Sequence, residues 1–152
     1  MLIRTHLAIT IFAILFFISS VNNKLVFVAV ALIATFLPDA DTGFSSLGKK
    51  KIMKPIQIFV RHRGFLHSLT FLFLLTVIFI TYTPTIALAF FLGYFLHIFA
   101  DSFTMEGIKP FYPFSKMLNG KLKTGGKKEV TIFVFFILAD LTFFGIKVIT
   151  LM

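Results

Sequence analysis

Five continuously apolar stretches, separated by polar and turn-forming residues, organise the chain. They cover about residues 7–21, 25–37, 65–82, 85–100 and 130–151. None alternates polar with apolar positions, so the pattern predicts membrane helices and not the strands of a transmembrane barrel. A helical span needs roughly 20 apolar residues, with about 17 as the lower end. The last three stretches reach or approach that length. The first two are short and are expected to sit in a locally thinned bilayer or to form a tight helical hairpin through Asn22 and Asn23. The first stretch reads as a retained helix: it has no strongly basic leader, and Asn22-Asn23-Lys24 follows where a small-residue cleavage site would lie. The expected fold class is all-α, a polytopic membrane bundle of about five helices forming a single membrane-embedded domain over residues 1–152.

Composition supports this. The 152 residues are 58% hydrophobic, include 23 phenylalanines and have a mean hydropathy of +0.97, against roughly 45–50% apolar residues in soluble domains. There is no cysteine, which excludes disulfides, thiolate metal sites and cysteine nucleophiles. The net charge of +9 does not point to nucleic acid, because the basic residues lie in loops between apolar runs. The bilayer and its anionic head groups are the expected partner.

Two long loops contain most of that charge. The first has Lys49, Lys50, Lys51, Lys54, Arg61 and Arg63; the second has Lys109, Lys116, Lys121, Lys123, Lys127 and Lys128. With five crossings, both loops and Arg4 share one side, while Lys24 and Lys147 lie towards the other. The positive-inside rule then predicts a cytoplasmic N-terminus and cytoplasmic long loops.

All four histidines map to that same face. His6 opens the first helix, His62 and His67 flank the start of the third, and His97 lies near the end of the fourth. Asp39 and Asp41 follow the second helix, and Asp101 closes the fourth, four residues after His97 and so on its helical face. This convergence of imidazoles and carboxylates predicts a site for a divalent metal: zinc first, manganese second, one ion or more. Arg63, beside a helix start, suits a phosphate or carboxylate. Glu106 and Glu129 read as solvated loop residues. Asp140 lies deep in the fifth stretch and is either a functional candidate or a protonated packing residue, loosely paired at most with Lys147.

These residues fall into ordered motifs: Thr5-His6, Leu37-Pro38-Asp39-Ala40-Asp41, His62-Arg63-Gly64-x-x-His67-Ser68, Gly93-Tyr94-x-x-His97-x-x-x-Asp101 and Thr104-x-x-Gly107-Ile108 with Pro113 beyond. In order and spacing the set resembles the YdjM-like family, described as LexA-regulated inner-membrane metal-dependent hydrolases. The resemblance runs from residue 5 to about 115 and leaves the fifth helix without a motif. That family is similar in turn to zinc-dependent phospholipase C and related nucleases, helical enzymes that hydrolyse phosphoesters at a cluster of metal ions. The resemblance implies that His6, Asp39, Asp41, His62, His67, His97 and Asp101 are metal ligands or their neighbours. The phospholipase C site also uses its N-terminal amine. Met1 precedes His6 here, so that element is not carried over.

The expected activity is hydrolysis of a phosphoester, with an amphiphilic, lipid-like substrate entering from the cytoplasmic membrane face. Arg63 would stabilise charge on the phosphoryl oxygens, and Asp39 or Asp41 would serve as general base. Two alternatives come from other classes. A non-catalytic membrane module would use the metal to hold its helices together, and an ion or metal transporter would need polar groups continuing through the membrane.

Overall fold

The computed structural model describes residues 1–41, 64–114 and 116–151, without the side chains of residues 40, 41, 150 and 151. Five helices carry the described chain: α1 (Ile3–Phe17), α2 (Lys24–Phe36), α3 (Leu69–Tyr82), α4 (Pro84–Ser102) and α5 (Lys127–Leu151). Among the described residues there are no β-strands, only two isolated bridges in the loop between α4 and α5. The all-α membrane bundle expected from the sequence is what the chain forms.

Among the described residues, three helices are long and apolar enough to cross a membrane: Ile3–Ser20 (α1 with the 3-10 turn that extends it), Pro84–Ser102 and Lys127–Ile149. The other two, Lys24–Phe36 and Leu69–Tyr82, are shorter apolar helices. At 1.5 Å per residue these span only about 20 Å. The expectation of a long third helix starting at residue 65 needs correction. Residues 65–68 form a turn, because Ser68 caps α3 by accepting the Phe71 N–H at 3.2 Å. The first free amides of α3, at Leu69 and Thr70, donate to the Pro110 carbonyl at 2.8 and 3.3 Å. A helix start is thus fixed by a loop some 40 residues away in the chain.

Helix α4 is central, packing against α1, α2 and α3. Its contact with α2 is backbone to backbone. A Cβ on Gly93 would stand 2.1 Å from the Ala31 carbonyl oxygen, so only glycine permits the approach. Small residues at crossings of this kind let membrane helices pack without a hydrophobic driving force. A hydrogen bond between the Thr10 and Thr35 hydroxyls, 3.0 Å, ties α1 to α2 in the same buried layer. Around it lie Ile14, Phe27, Ala31 and Ala89 on one side and Leu72, Phe90, Tyr94 and Ile98 on the other.

Helix α5 is peripheral. It packs against α1, with Phe136 and Phe143 against Phe12, and presents Phe135, Leu138 and Leu141 outward, where lipid would lie. Asp140 shares the face of Phe136 and Phe143, and is 8% exposed; its carboxylate has no hydrogen-bond partner among the described residues. Lys147, about two turns beyond Asp140, donates to Ser19 Oγ at 2.5 Å.

The Gly93 contact generates a test. Gly93→Ala should lower the thermal unfolding midpoint of detergent-purified protein, reflecting an overpacking cost of about 1–3 kcal/mol. Gly145→Ala, which meets nothing within 4 Å, should leave the midpoint unchanged or slightly raised. Equal midpoints for the two variants would contradict the close α2–α4 contact.

Candidate metal centre

The helices alternate in direction, which brings the start of α1, the end of α2, the start of α3 and the end of α4 to one end of the bundle. His6 comes from α1, Asp39 from the 3-10 turn Pro38–Asp41 after α2, His67 from the turn before α3, and His97 and Asp101 from α4. These five side chains form two overlapping triads, His6–His97–Asp101 and Asp39–His67–His97, with the ligand atoms of each within 4.8 Å of one another. His6 Nε2 lies 3.2 Å from Asp101 Oδ1, and His67 Nε2 lies 3.5 Å from Asp39 Oδ1 and 3.8 Å from Asp101 Oδ2. The His6 and His97 rings stack in parallel, with centroids 3.9 Å apart.

His97 has the most constrained chemistry. Its Nδ1 sits 2.7 Å from the Thr35 carbonyl. A carbonyl only accepts, so Nδ1 carries the proton, and in the neutral ring Nε2 is a bare lone pair. That lone pair has no hydrogen-bond partner among the described residues. Instead it faces Asp39 Oδ1 at 3.8 Å and Asp101 Oδ2 at 3.9 Å. Acceptors converging in a buried space are mutually repulsive unless a cation lies between them. Thr35 stands in the last turn of α2, where helix carbonyls lack intrahelical partners. The bond therefore satisfies a helix end and orients a ligand together, the arrangement typical of ligating histidines.

The α4 motif becomes intelligible on this frame. Gly93 allows α2 to close in. Tyr94, fully buried, donates its hydroxyl to the Leu66 carbonyl at 2.6 Å and so holds the turn that presents His67. His97 and Asp101 follow on successive turns. Beyond the helix, Thr104 Oγ1 donates to the Asp101 carbonyl at 2.8 Å and accepts the Gly107 N–H at 3.2 Å. Gly107 has a positive φ of 63°, a conformation that favours glycine.

Four of the five donors are buried, with side chains at most 2% exposed, whereas that of Asp39 is 24% exposed. Asp39 therefore forms the outer edge. Burial pushes its carboxyl pKa up, but the adjacent His67 and His97 imidazoles outweigh that and hold it below the ordinary carboxylate value.

Of the residues singled out in the sequence, His6, Asp39, His67, His97 and Asp101 are brought together. His62 and Arg63 lie outside the described residues, as does the side chain of Asp41.

A family model described as YdjM inner membrane protein matches residues 1–151. The chain belongs to this family. It is similar to the inner membrane protein YdjM of Escherichia coli (strain K12) and to that of Shigella flexneri, 39% identical over 92 residues in each. Each match covers 55% of this chain and 47% of the relative, so the chain spans about half the length of the curated relatives it matches. No solved structure matches. The family is described as one of inner membrane proteins, in agreement with the apolar pattern of this chain.

Two members of the site's surroundings were not anticipated. The N-terminal amine, not carried over by the resemblance, donates from Met1 N to Asp101 Oδ1 at 2.5 Å. Glu129, expected to be solvated, is 2% exposed. Its Oε1 accepts from Leu2 N at 2.6 Å and Thr5 Oγ1 at 2.9 Å, and its Oε2 accepts from Gly125 N at 2.6 Å. It ties the start of α1, and therefore His6, to the start of α5. The available sequence signal was an acid at the third position of a helix after Gly125-Gly126, where a glutamate commonly reaches back to preceding amides.

Glu129→Ala would strand the donors that converge on this carboxylate, at about 1–3 kcal/mol for each buried group left unsatisfied. Amide hydrogen exchange at the first turn of α1 should accelerate and the unfolding midpoint should fall, with Glu129→Gln milder. Unchanged exchange at Thr5 and His6 would show that Glu129 does not hold this helix end.

Proposed function

We propose that this chain is a membrane-embedded, metal-dependent hydrolase that cleaves a phosphoester of an amphiphilic substrate at the cytoplasmic face of the inner membrane. The observation that carries this reading is the convergence of imidazoles and carboxylates on one buried point. Three imidazoles and two carboxylates from four segments close on each other, and the His97 lone pair is aimed at both carboxylates. That donor set fits zinc, with manganese as the second choice.

His6, His67, His97, Asp39 and Asp101 would hold the cation. Because His97 has a single lone pair to offer, the two triads act as halves of one shared centre. A divalent cation there supplies Lewis acidity and lowers the pKa of a water that it binds. The protein's own groups do the rest. The Thr35 carbonyl fixes the His97 ring, Tyr94 fixes the turn of His67, and the packed helices exclude bulk water. Asp39, at the exposed edge, is the carboxylate placed to accept a proton from the attacking water. Arg63 is assigned to the phosphoryl oxygens by its motif alone. The lysine-rich loops favour the cytoplasmic side, and a site at the membrane end of a bundle suits a head group whose tails remain in lipid.

A second reading also draws on a specific observation. Four donors are almost completely buried, which resembles the closed coordination of a structural metal that clamps helices together.

Elemental analysis of detergent-purified protein separates these readings. Wild type should carry zinc or manganese in near-stoichiometric amount, and His97→Ala and Asp101→Ala should lose it. Purified protein should hydrolyse a phosphodiester or phospholipid in mixed micelles, lose that activity on chelation and regain it on adding the metal back. Stoichiometric metal without turnover, with unfolding on chelation, would favour the clamp. A folded wild type that takes up no metal would rule out both.

A further inference from the structure

The loop between α4 and α5 contains a feature that the metal centre does not use. This segment is folded, not slack. Ile108 and Leu118 exchange backbone hydrogen bonds at 2.9 and 2.8 Å, and Met105 N and Gly120 N bond to the Leu122 and Thr104 carbonyls at 2.8 Å each. Ile108 is 2% exposed and belongs to the main core. The loop is also pinned to the start of α3 through the Pro110 carbonyl. From this braced base, large apolar side chains project outward: Phe114 is 95% exposed, Leu118 53% and Met117 49%. Lys116, Lys121 and Lys123 are exposed among them.

A braced loop that spends its rigidity on exposing phenylalanine needs something to cover that ring. Both ends of the loop continue into membrane-length helices, so it returns to the same membrane face that it leaves. Interleaved apolar and lysine side chains are the composition of a segment lying in the interface, with rings below the head groups and ammonium groups among anionic phosphates. We infer that the tip carrying Phe114, Met117 and Leu118 is a membrane-interface anchor, seated in the acyl–head-group boundary and strengthened by anionic lipid. The inference does not depend on whether the His/Asp cluster holds a metal.

The chain contains no tryptophan, so Phe114→Trp introduces a single reporter at an exposed position where folding is not at stake. In nanodiscs of phosphatidylcholine its emission should be blue-shifted, quenched by lipids brominated on the upper acyl chain and shielded from aqueous iodide. Replacing part of the lipid with phosphatidylglycerol should deepen the probe, and Lys116→Gln with Lys121→Gln and Lys123→Gln should abolish that difference. Red emission quenched by iodide and indifferent to brominated lipid would overturn the anchor. Blue emission indifferent to brominated lipid and lost on diluting the protein in lipid would overturn it too, assigning the tip to a second copy of the chain. Equal depth in both lipid mixtures would overturn the anionic component.

Discussion

Helices α2 and α4 meet with almost no side chain between them, and the rest of the bundle is arranged around that approach. Gly93 places its backbone against the Ala31 carbonyl at a distance that no Cβ allows. One turn further along, the Thr35 carbonyl reaches His97 Nδ1 at 2.7 Å. Were the helices separated by even a methyl group, that bond would be broken. Its loss would free the ring to rotate and leave a buried helix-end carbonyl unsatisfied. The Thr35 hydroxyl, bonded to the Ala31 carbonyl and to Thr10, extends the same constraint to α1, from which His6 projects. A packing contact between α2 and α4 thus sets the geometry of ligands on α4 and α1.

The polar cluster built on this contact is costly by itself. Asp101, His6, His67 and His97 are withdrawn from water, and charges in such settings persist when they are paired or ligate a cation. The contacts within it are local: His6 and the Met1 amine lie against Asp101, and His67 lies against Asp39. Among the described residues the His97 Nε2 lone pair and the His6 ring nitrogens have no hydrogen-bond partner, and this unsatisfied chemistry motivates the metal reading. Asp39, less buried than the rest, links the cluster to the outside.

The fifth helix and the loop before it serve different ends of the same design. Helix α5 is mostly exposed along its length and adds little to the core, yet its first turn supplies Glu129, which gathers the backbone and hydroxyl donors at the start of α1. The loop between α4 and α5 caps α3 from outside through Pro110. Neither contact lies in the cluster, and both govern where its ligands stand.

The sequence by itself determined the class and the ingredients. Continuous apolar runs specify membrane helices because the bilayer leaves backbone groups no other partner, and the placement of His6, Asp39, His67, His97 and Asp101 near the ends of those runs predicts their meeting at one membrane depth. The i,i+4 spacing of His97 and Asp101 was legible because helix geometry is local. The sequence could not disclose the part played by Thr35, since a main-chain carbonyl has no side-chain signature. It also could not disclose the burial of Glu129, which depends on α5 returning beside α1. Tertiary structure alone decided which acid is buried, which nitrogen of His97 faces the carboxylates and where α3 begins. The reason is common to all three: each rests on contacts between residues far apart in the chain, and such contacts exist only once the helices have packed.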